Sequence, residues 1–162
     1  MGTEDQWQAR VDAVWADEGL GDQDRIVRID ALAAERGEDD AVGLFERAGA
    51  RDSAGEEAAA EELYRRALDA GLDEDRRIQA TIQLASTLRN LGRPDESLAL
   101  LEPERATNGP YRDAVAAFHA LALASSGDPT GGLAVALEAL APHLPRYVRS
   151  VTAYAGELRT TR

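Results

Sequence analysis

Apolar residues recur with helical spacing along almost the whole chain. Between Glu57 and Ser97, Ala60, Tyr64, Ala67 and Leu68 fall at i, i+4, i+7 and i+8. Ile78, Ile82, Ala85 and Leu88 form a second stripe, joined by Leu84 and Leu91. Gly71 separates the two and Gly92 ends the second. The same reading predicts a helix over about 4–18 (Trp7, Val11, Val14, Trp15), opened by a capping box of Thr3 and Gln6. A second helix, capped by Asp22 or Asp24, carries Ile26, Ile29, Leu32 and Ala33 and stops at Gly37. A third, capped by Asp39 or Asp40, carries Val42, Leu44, Phe45 and Ala48. The fourth covers about 55–70, and Asp73 caps the fifth. Pro94 sits in the first turn of the sixth, which Pro103 kinks or stops. Pro110 is expected to open the seventh (Val115, Phe118, Ala122, Leu123), and Asp128-Pro129 the eighth (Leu133, Ala136, Leu137, Leu140). The ninth starts near Pro145 with Tyr147, Val151, Tyr154 and Leu158. A helix with one apolar stripe needs neighbours to bury it, so these helices must stack.

The breaks repeat. Gly55, Gly92 and Gly127 lie 37 and 35 residues apart, a period in the range of helical repeats. Five positions after each comes a small residue (Ala60, Ser97, Gly132), and nine after come Tyr64, Leu101 and Ala136. Twelve after come Ala67, Glu104 and Ala139, and seven before each stands an alanine (Ala48, Ala85, Ala120).

These positions resemble the tetratricopeptide repeat, whose unit is about 34 residues with small residues, an aromatic and alanines at matching places. AEELYRRALDAG and LASTLRNLGRPDESLALL carry the likeness, which is to the bacterial tetratricopeptide repeat group 5 type in particular. The chain departs from the pattern where Leu44, Thr81 and Ala116 replace an early aromatic and where Glu104 replaces an alanine beside Pro103. The resemblance implies an all-α, α-α superhelical solenoid of about nine antiparallel helices in a single domain over 1–162. It would comprise an N-terminal helix pair (1–38), three repeats (41–142) and a C-terminal capping helix (145–162). Tyr147, Val151 and Tyr154 are expected to cover the eighth helix, because an uncapped end repeat exposes apolar surface.

Composition agrees with closely packed helices: 44% of residues are hydrophobic but only 5% aromatic. There is no cysteine, which excludes disulfides and thiolate metal sites. No apolar run has the length of a membrane span, and the first residues lack the pattern of a signal peptide or a myristoylation site, so a cytoplasmic protein without a membrane partner is expected. The net charge of −12 argues against nucleic acid as a partner. The charge is uneven: 22 carboxylates face 8 arginines up to residue 75, and 8 face 10 after it.

Little points to catalysis. His119 is read as packed or half exposed beside Phe118, and His143 as a turn residue between Pro142 and Pro145. The acidic runs at Glu38-Asp39-Asp40 and Asp73-Glu74-Asp75 suit helix starts. No phosphate loop, calcium loop or nucleophile elbow is present. The expectation is a non-catalytic protein with no cofactor and no metal.

In the resembled family the first helix of each repeat lines a concave groove that takes a peptide or partner protein. The resemblance places Val42, Phe45, Glu46, Gly49 and Asp52 there from the first repeat, Gln79, Ile82, Gln83, Ser86, Arg89 and Asn90 from the second, and Ala117, Phe118, Leu121 and Ser125 from the third. Phe45, Gln79, Gln83, Ser86, Arg89, Asn90 and Phe118 are the candidate groove residues. Their amides and guanidinium are suited to an extended backbone or a carboxylate. The family's carboxylate-binding variant uses lysines, and this chain has none. The alternative is a structural homo-oligomer, a homodimer built through the end helices.

Overall fold

The computed structural model describes residues 2–160. Among these there are nine α-helices, two short 3₁₀ turns and no strand, so the chain is all-α as expected. The helices are α1 (Thr3–Ala16), α2 (Asp22–Ala34), α3 (Ala41–Ser53), α4 (Glu57–Ala70), α5 (Glu74–Asn90), α6 (Pro94–Leu101), α7 (Arg112–Ser125), α8 (Pro129–Leu140) and α9 (Val148–Thr160). The 3₁₀ turns are Pro103–Ala106 and Ala141–His143. The chain divides into two compact units, residues 1–80 and 81–162, with the boundary inside α5.

In the first unit α1 packs on α2, α2 on α3 and α3 on α4. Trp7, Val11 and Val14 of α1 meet Ile26 and Ile29 of α2 and Ala50 of α3 in one buried cluster. Trp7 cannot be buried as pure hydrocarbon, because its indole N–H needs an acceptor. Its Nε1 donates to the Leu32 carbonyl at 2.9 Å, and the Arg36 guanidinium lies 4.5 Å from its ring centre. Between α3 and α4 the buried residues are Leu44, Ala48, Ala60, Leu63, Tyr64 and Ala67.

In the second unit α6 packs on α7, α7 on α8 and α8 on α9. The close contact is between α7 and α8. A Cβ added at Gly132 would stand 2.5 Å from the Ala120 carbonyl oxygen, so only glycine permits this approach. Gly132 holds the repeat position occupied by Ala60 and Ser97, which are also buried. Nine residues after each break Tyr64 and Leu101 are fully buried, but Ala136 is exposed. In α8 the larger Val135 is buried instead, one position earlier.

The glycines that set the period differ from Gly132. Gly55, Gly92 and Gly127 have φ of +75°, +77° and +98°, and a Cβ on any of them would meet nothing within 4 Å. Glycine is there for the sign of φ, which ends one helix and turns the chain back.

Several ends differ from the expectation. Asp40, Asp73 and Asp128 do cap α3, α5 and α8, accepting from the backbone N–H three residues on at 2.8, 3.0 and 2.9 Å. The expected capping box of Thr3 and Gln6 does not form: Thr3 is already helical, and the helix start has only the Gly2 N–H donating to Asp5 Oδ2 at 3.0 Å, because glycine has no side chain to return the bond. Asp22 and Asp24 do not cap α2; both lie inside its first turn, where they suit the dipole, and Gly21 is the cap residue. Pro110 does not open α7. It sits in a turn closed by the Arg112 N–H on the Gly109 carbonyl at 3.1 Å, and the helix starts at Arg112. Pro103 stops α6 as expected, and its missing N–H leaves a 3₁₀ turn.

The larger correction concerns α9. It starts at Val148, and Tyr147 stands outside it with a left-handed φ of +72°. Tyr147 and Tyr154 are 71% and 62% exposed and do not cover α8. Ala155 is the fully buried residue of α9, and Val151 and Leu158, four before it and three after it, are half-buried.

Two outcomes follow for stability. Gly132→Ala gains up to about 1 kcal/mol in helix propensity, but pressing a methyl onto a backbone carbonyl costs roughly 1–3 kcal/mol. Net destabilisation is expected in denaturant titration. Gly156→Ala, in the open on α9, should gain the propensity alone, and Ala60→Leu should lose stability like Gly132→Ala. On α9, Tyr147→Ser and Tyr154→Ser should leave the melting temperature nearly unchanged, while Ala155→Leu should lower it.

Candidate functional site

Helix α5 begins with Glu74 and Asp75 and ends with Arg89, charges that match its dipole. Its Ile78, Ala85 and Leu88 are buried. Gln79, Gln83 and Ser86 on the opposite side are half-buried and Asn90 is exposed. Steps of four, three and four residues place these last four on one face. Ile82, also read as inward-facing, is buried at 6% exposure and belongs to the packing.

Arg89 lies beside the polar row and is half-buried. Its Nη2 donates to Asn90 Oδ1 at 3.0 Å, while its Nε is buried with no partner. A buried donor left unpaired is costly, of the order of 1–3 kcal/mol.

The aromatic candidates are placed differently. Phe45 is 9% exposed, and its ring stands 6.4 Å from that of Tyr64 at a tilt of 54°, between α3 and α4. Phe118 is half-buried on α7, between exposed Ala117 and buried His119, and Leu121 and Ser125 are exposed on the same helix.

Glu46, on α3, lies at the centre of a polar network within the first unit. It is only 7% exposed. Trp15 Nε1 donates to its Oε2 at 2.8 Å, Gln8 also bonds it, and Arg76 Nη2 donates to Gln8 Oε1 at 3.0 Å. Gly49 lies against the Trp15 ring, 3.4 Å from where a Cβ would stand. Burial raises the pKa of Glu46, against the hydrogen bonds from Trp15 and Gln8 and the charge of Arg76. The parts played by Trp15, Gln8 and Arg76 could not be read from the sequence, because they come from two other helices, α1 and α5. The only signal was the charge at Glu46, an inward position.

Asp52, near the other end of α3, accepts from the Tyr64 hydroxyl at 3.3 Å, and burial pushes that phenol strongly upward. The two histidines each meet one carboxylate: His119 Nε2 is 3.1 Å from Glu102, and His143 Nε2 is 2.9 Å from Asp113. Among the described residues no three side chains of metal-ligating type converge, and no helix is long and apolar enough to cross a membrane.

In comparisons with known proteins, the family model described as the tetratrico peptide repeat, of the group 5 type, matches residues 41–158. Neither the curated proteins nor the solved structures give a match.

The raised pKa of Glu46 has a defined consequence. The folded state holds the proton more tightly than the unfolded state, so this residue's stabilising contribution is complete below the ordinary value of 4.5 and is lost as pH rises through the raised one. Glu46→Gln keeps an acceptor for Trp15 without the charge. The stability of the native protein relative to this variant should therefore fall steadily from pH 4 toward pH 7, read as melting temperatures across that range.

Proposed function

Because the chain belongs to the tetratricopeptide repeat family, we propose that it is a non-catalytic scaffold that holds an extended peptide segment of a partner protein on the inner faces of its first helices. In this reading residues 41–142 are three repeats, 1–38 an N-terminal pair and 145–162 a terminal helix. The observation that carries it is Arg89, a half-buried cation with an unpartnered buried Nε, at the end of a row of side-chain amides and a hydroxyl on α5. A peptide offers a carbonyl at each residue, and a carboxylate at any Asp, Glu or C-terminus, which are acceptors that side-chain amides, a hydroxyl and a guanidinium can bond. Gln79, Gln83, Ser86 and Asn90 take the backbone, and Arg89 anchors a carboxylate. Phe45 and Phe118 bound the binding faces of α3 and α7. The net charge of −12 is unsuited to a nucleic-acid ligand, and the reading places the protein in the cytoplasm.

A second reading is self-assembly through the end helices. The exposure of Leu133, Leu140, Tyr147, Val148 and Tyr154, all on or beside α8 and α9, favours it. Light scattering over a range of concentrations separates the two, since only self-assembly raises the mass without a partner.

The test of the first reading is the double variant Arg89→Ala, Asn90→Ala. The variant should stay folded and lose no more than about 0.5 kcal/mol of stability, while capture of the native partner from the source cells, quantified against the unaltered protein, should drop severalfold. A folded variant that captures its partner as well as before places the binding surface elsewhere. An unfolded one makes the pair structural.

A further inference from the structure

Within the second unit, α6, α7, α8 and α9 enclose a cleft of about 550 Å³, within the range of small-molecule sites. Leu98, Leu123, Val135 and Leu158 form its apolar walls, and Glu102, Asp128, Arg105 and Arg159 are its charged groups. His119, 5% exposed, contributes to its lining from α7.

The bonding of these groups is one-sided. Glu102 Oε1 and Oε2 both accept from Arg105 Nη1, at 3.1 Å, and Oε2 also faces His119 Nε2 at 3.1 Å. Glu102 is held below its ordinary range, chiefly by the Arg105 hydrogen bond, so it is a carboxylate and His119 donates to it through Nε2–H. The buried Nδ1 of His119 has no partner and carries the bare lone pair. Burial, and then the nearby Arg105, keep this ring neutral. The other acid of the cleft, Asp128, is committed to the start of α8, where it accepts from the Gly131 N–H at 2.9 Å. The carboxylates of the cleft are thus engaged. The donors are not: Arg105 meets Glu102 through Nη1 alone, and Arg159 meets Glu138 through Nη2 alone. Each guanidinium keeps nitrogens with no protein partner, and Arg159 lies close enough to His119 to act on its charge.

We propose that this cleft binds a small carboxylic acid with an apolar body, the carboxylate bridging Arg105 and Arg159 and the body lying on Leu98, Leu123, Val135 and Leu158. Guanidinium groups bond carboxylates in this way through paired N–H donors. A neutral ligand leaves the donor excess unused, and a cation meets two guanidinium groups and two carboxylates that are already bonded within the protein. His119 is a positioning residue: its N–H fixes Glu102, and Glu102 fixes Arg105. This site lies apart from the polar row on α5 and does not depend on the peptide reading.

Three probes that share one apolar body test it: 3-phenylpropanoate, 3-phenylpropanamide and 3-phenylpropylamine, titrated calorimetrically into the full chain. The acid should bind saturably, and the amide and the amine about tenfold more weakly or not at all. Arg105→Gln and Arg159→Gln should each weaken the acid about tenfold, while Arg149→Gln, outside the cleft, should not. The acid should also raise the pKa of His119, followed by the NMR shift of its ring, because it brings a negative charge to the cleft. Equal binding of the three probes, no saturable binding of the acid, or cleft variants that bind like the native protein would each overturn the proposal. If a cleft variant fails to fold, the ranking of the three probes on the native protein decides alone.

Discussion

The closeness of the two helices within a pair is the constraint on which the rest of the structure depends. At Gly132 the backbones of α7 and α8 approach until a single methyl would strike the Ala120 carbonyl. At the matching positions Ala60 and Ser97 are 0% and 1% exposed. A chain with 5% aromatic residues has few large side chains to fill the space between helices. It closes that space by bringing the backbones together, so that many short contacts replace a few large ones. The left-handed glycines serve the same end, because a pair can close only if the chain reverses sharply between its helices. Small residues at the crossing and glycine at the turn are therefore one requirement expressed at two places.

Arginine–carboxylate pairs cover much of the surface, but most are exposed, and exposed pairs contribute little each. The exceptions are those that direct something else. Asp30 is only half-exposed, and burial alone would raise its pKa. Arg51, at 2.8 and 2.9 Å, and Arg47, at 3.1 Å, outweigh that and hold it below the usual carboxylate range, which ties α2 to α3. Arg36 lies over Trp7 while it bonds Asp40, the cap of α3, so one side chain links the core tryptophan to a helix start. Removing such a residue takes packing away as well as charge.

The helices, their order and most of their buried stripes were legible in the sequence, because a period of 3.6 residues and left-handed glycines are local signals. Ala60, Tyr64 and Ala67 are buried as the stripe required, and so are Ile78, Ile82, Ala85 and Leu88. The misreadings come from signals that two places can satisfy. Thr3 and Gly2, Asp22 and Gly21, and Pro110 and Arg112 are all chemically acceptable helix starts, and tertiary packing chooses between them. At α9 the helix starts three residues later than expected and leaves Tyr147 outside it, and the buried residue is Ala155 rather than the neighbouring Tyr154. Beyond the aspartate caps, the polar contacts between helices were not legible. Glu46 with Trp15 and Gln8, and His119 with Glu102, join residues that only the fold brings together.

Packing of this kind also decides where binding chemistry can lie. A first helix such as α5 must bury one face, and Ile78, Ala85 and Leu88 do so completely enough that the other face is free to carry polar groups. Those groups are held on a rigid helix at fixed spacing, so little ordering entropy is lost when a ligand meets them. Arg89 and His119 illustrate two outcomes of placing a polar side chain close to packed helices. The cation keeps a donor without an acceptor, whereas burial has already driven the imidazole to its neutral form. An unmet donor on a cation creates a demand that an anion or a carbonyl can satisfy. A bare imidazole lone pair creates a weaker one, because neutrality has removed most of the cost of its isolation. On this ground recognition is expected to be directed by the arginines of the scaffold, with histidine confined to holding its neighbours in place.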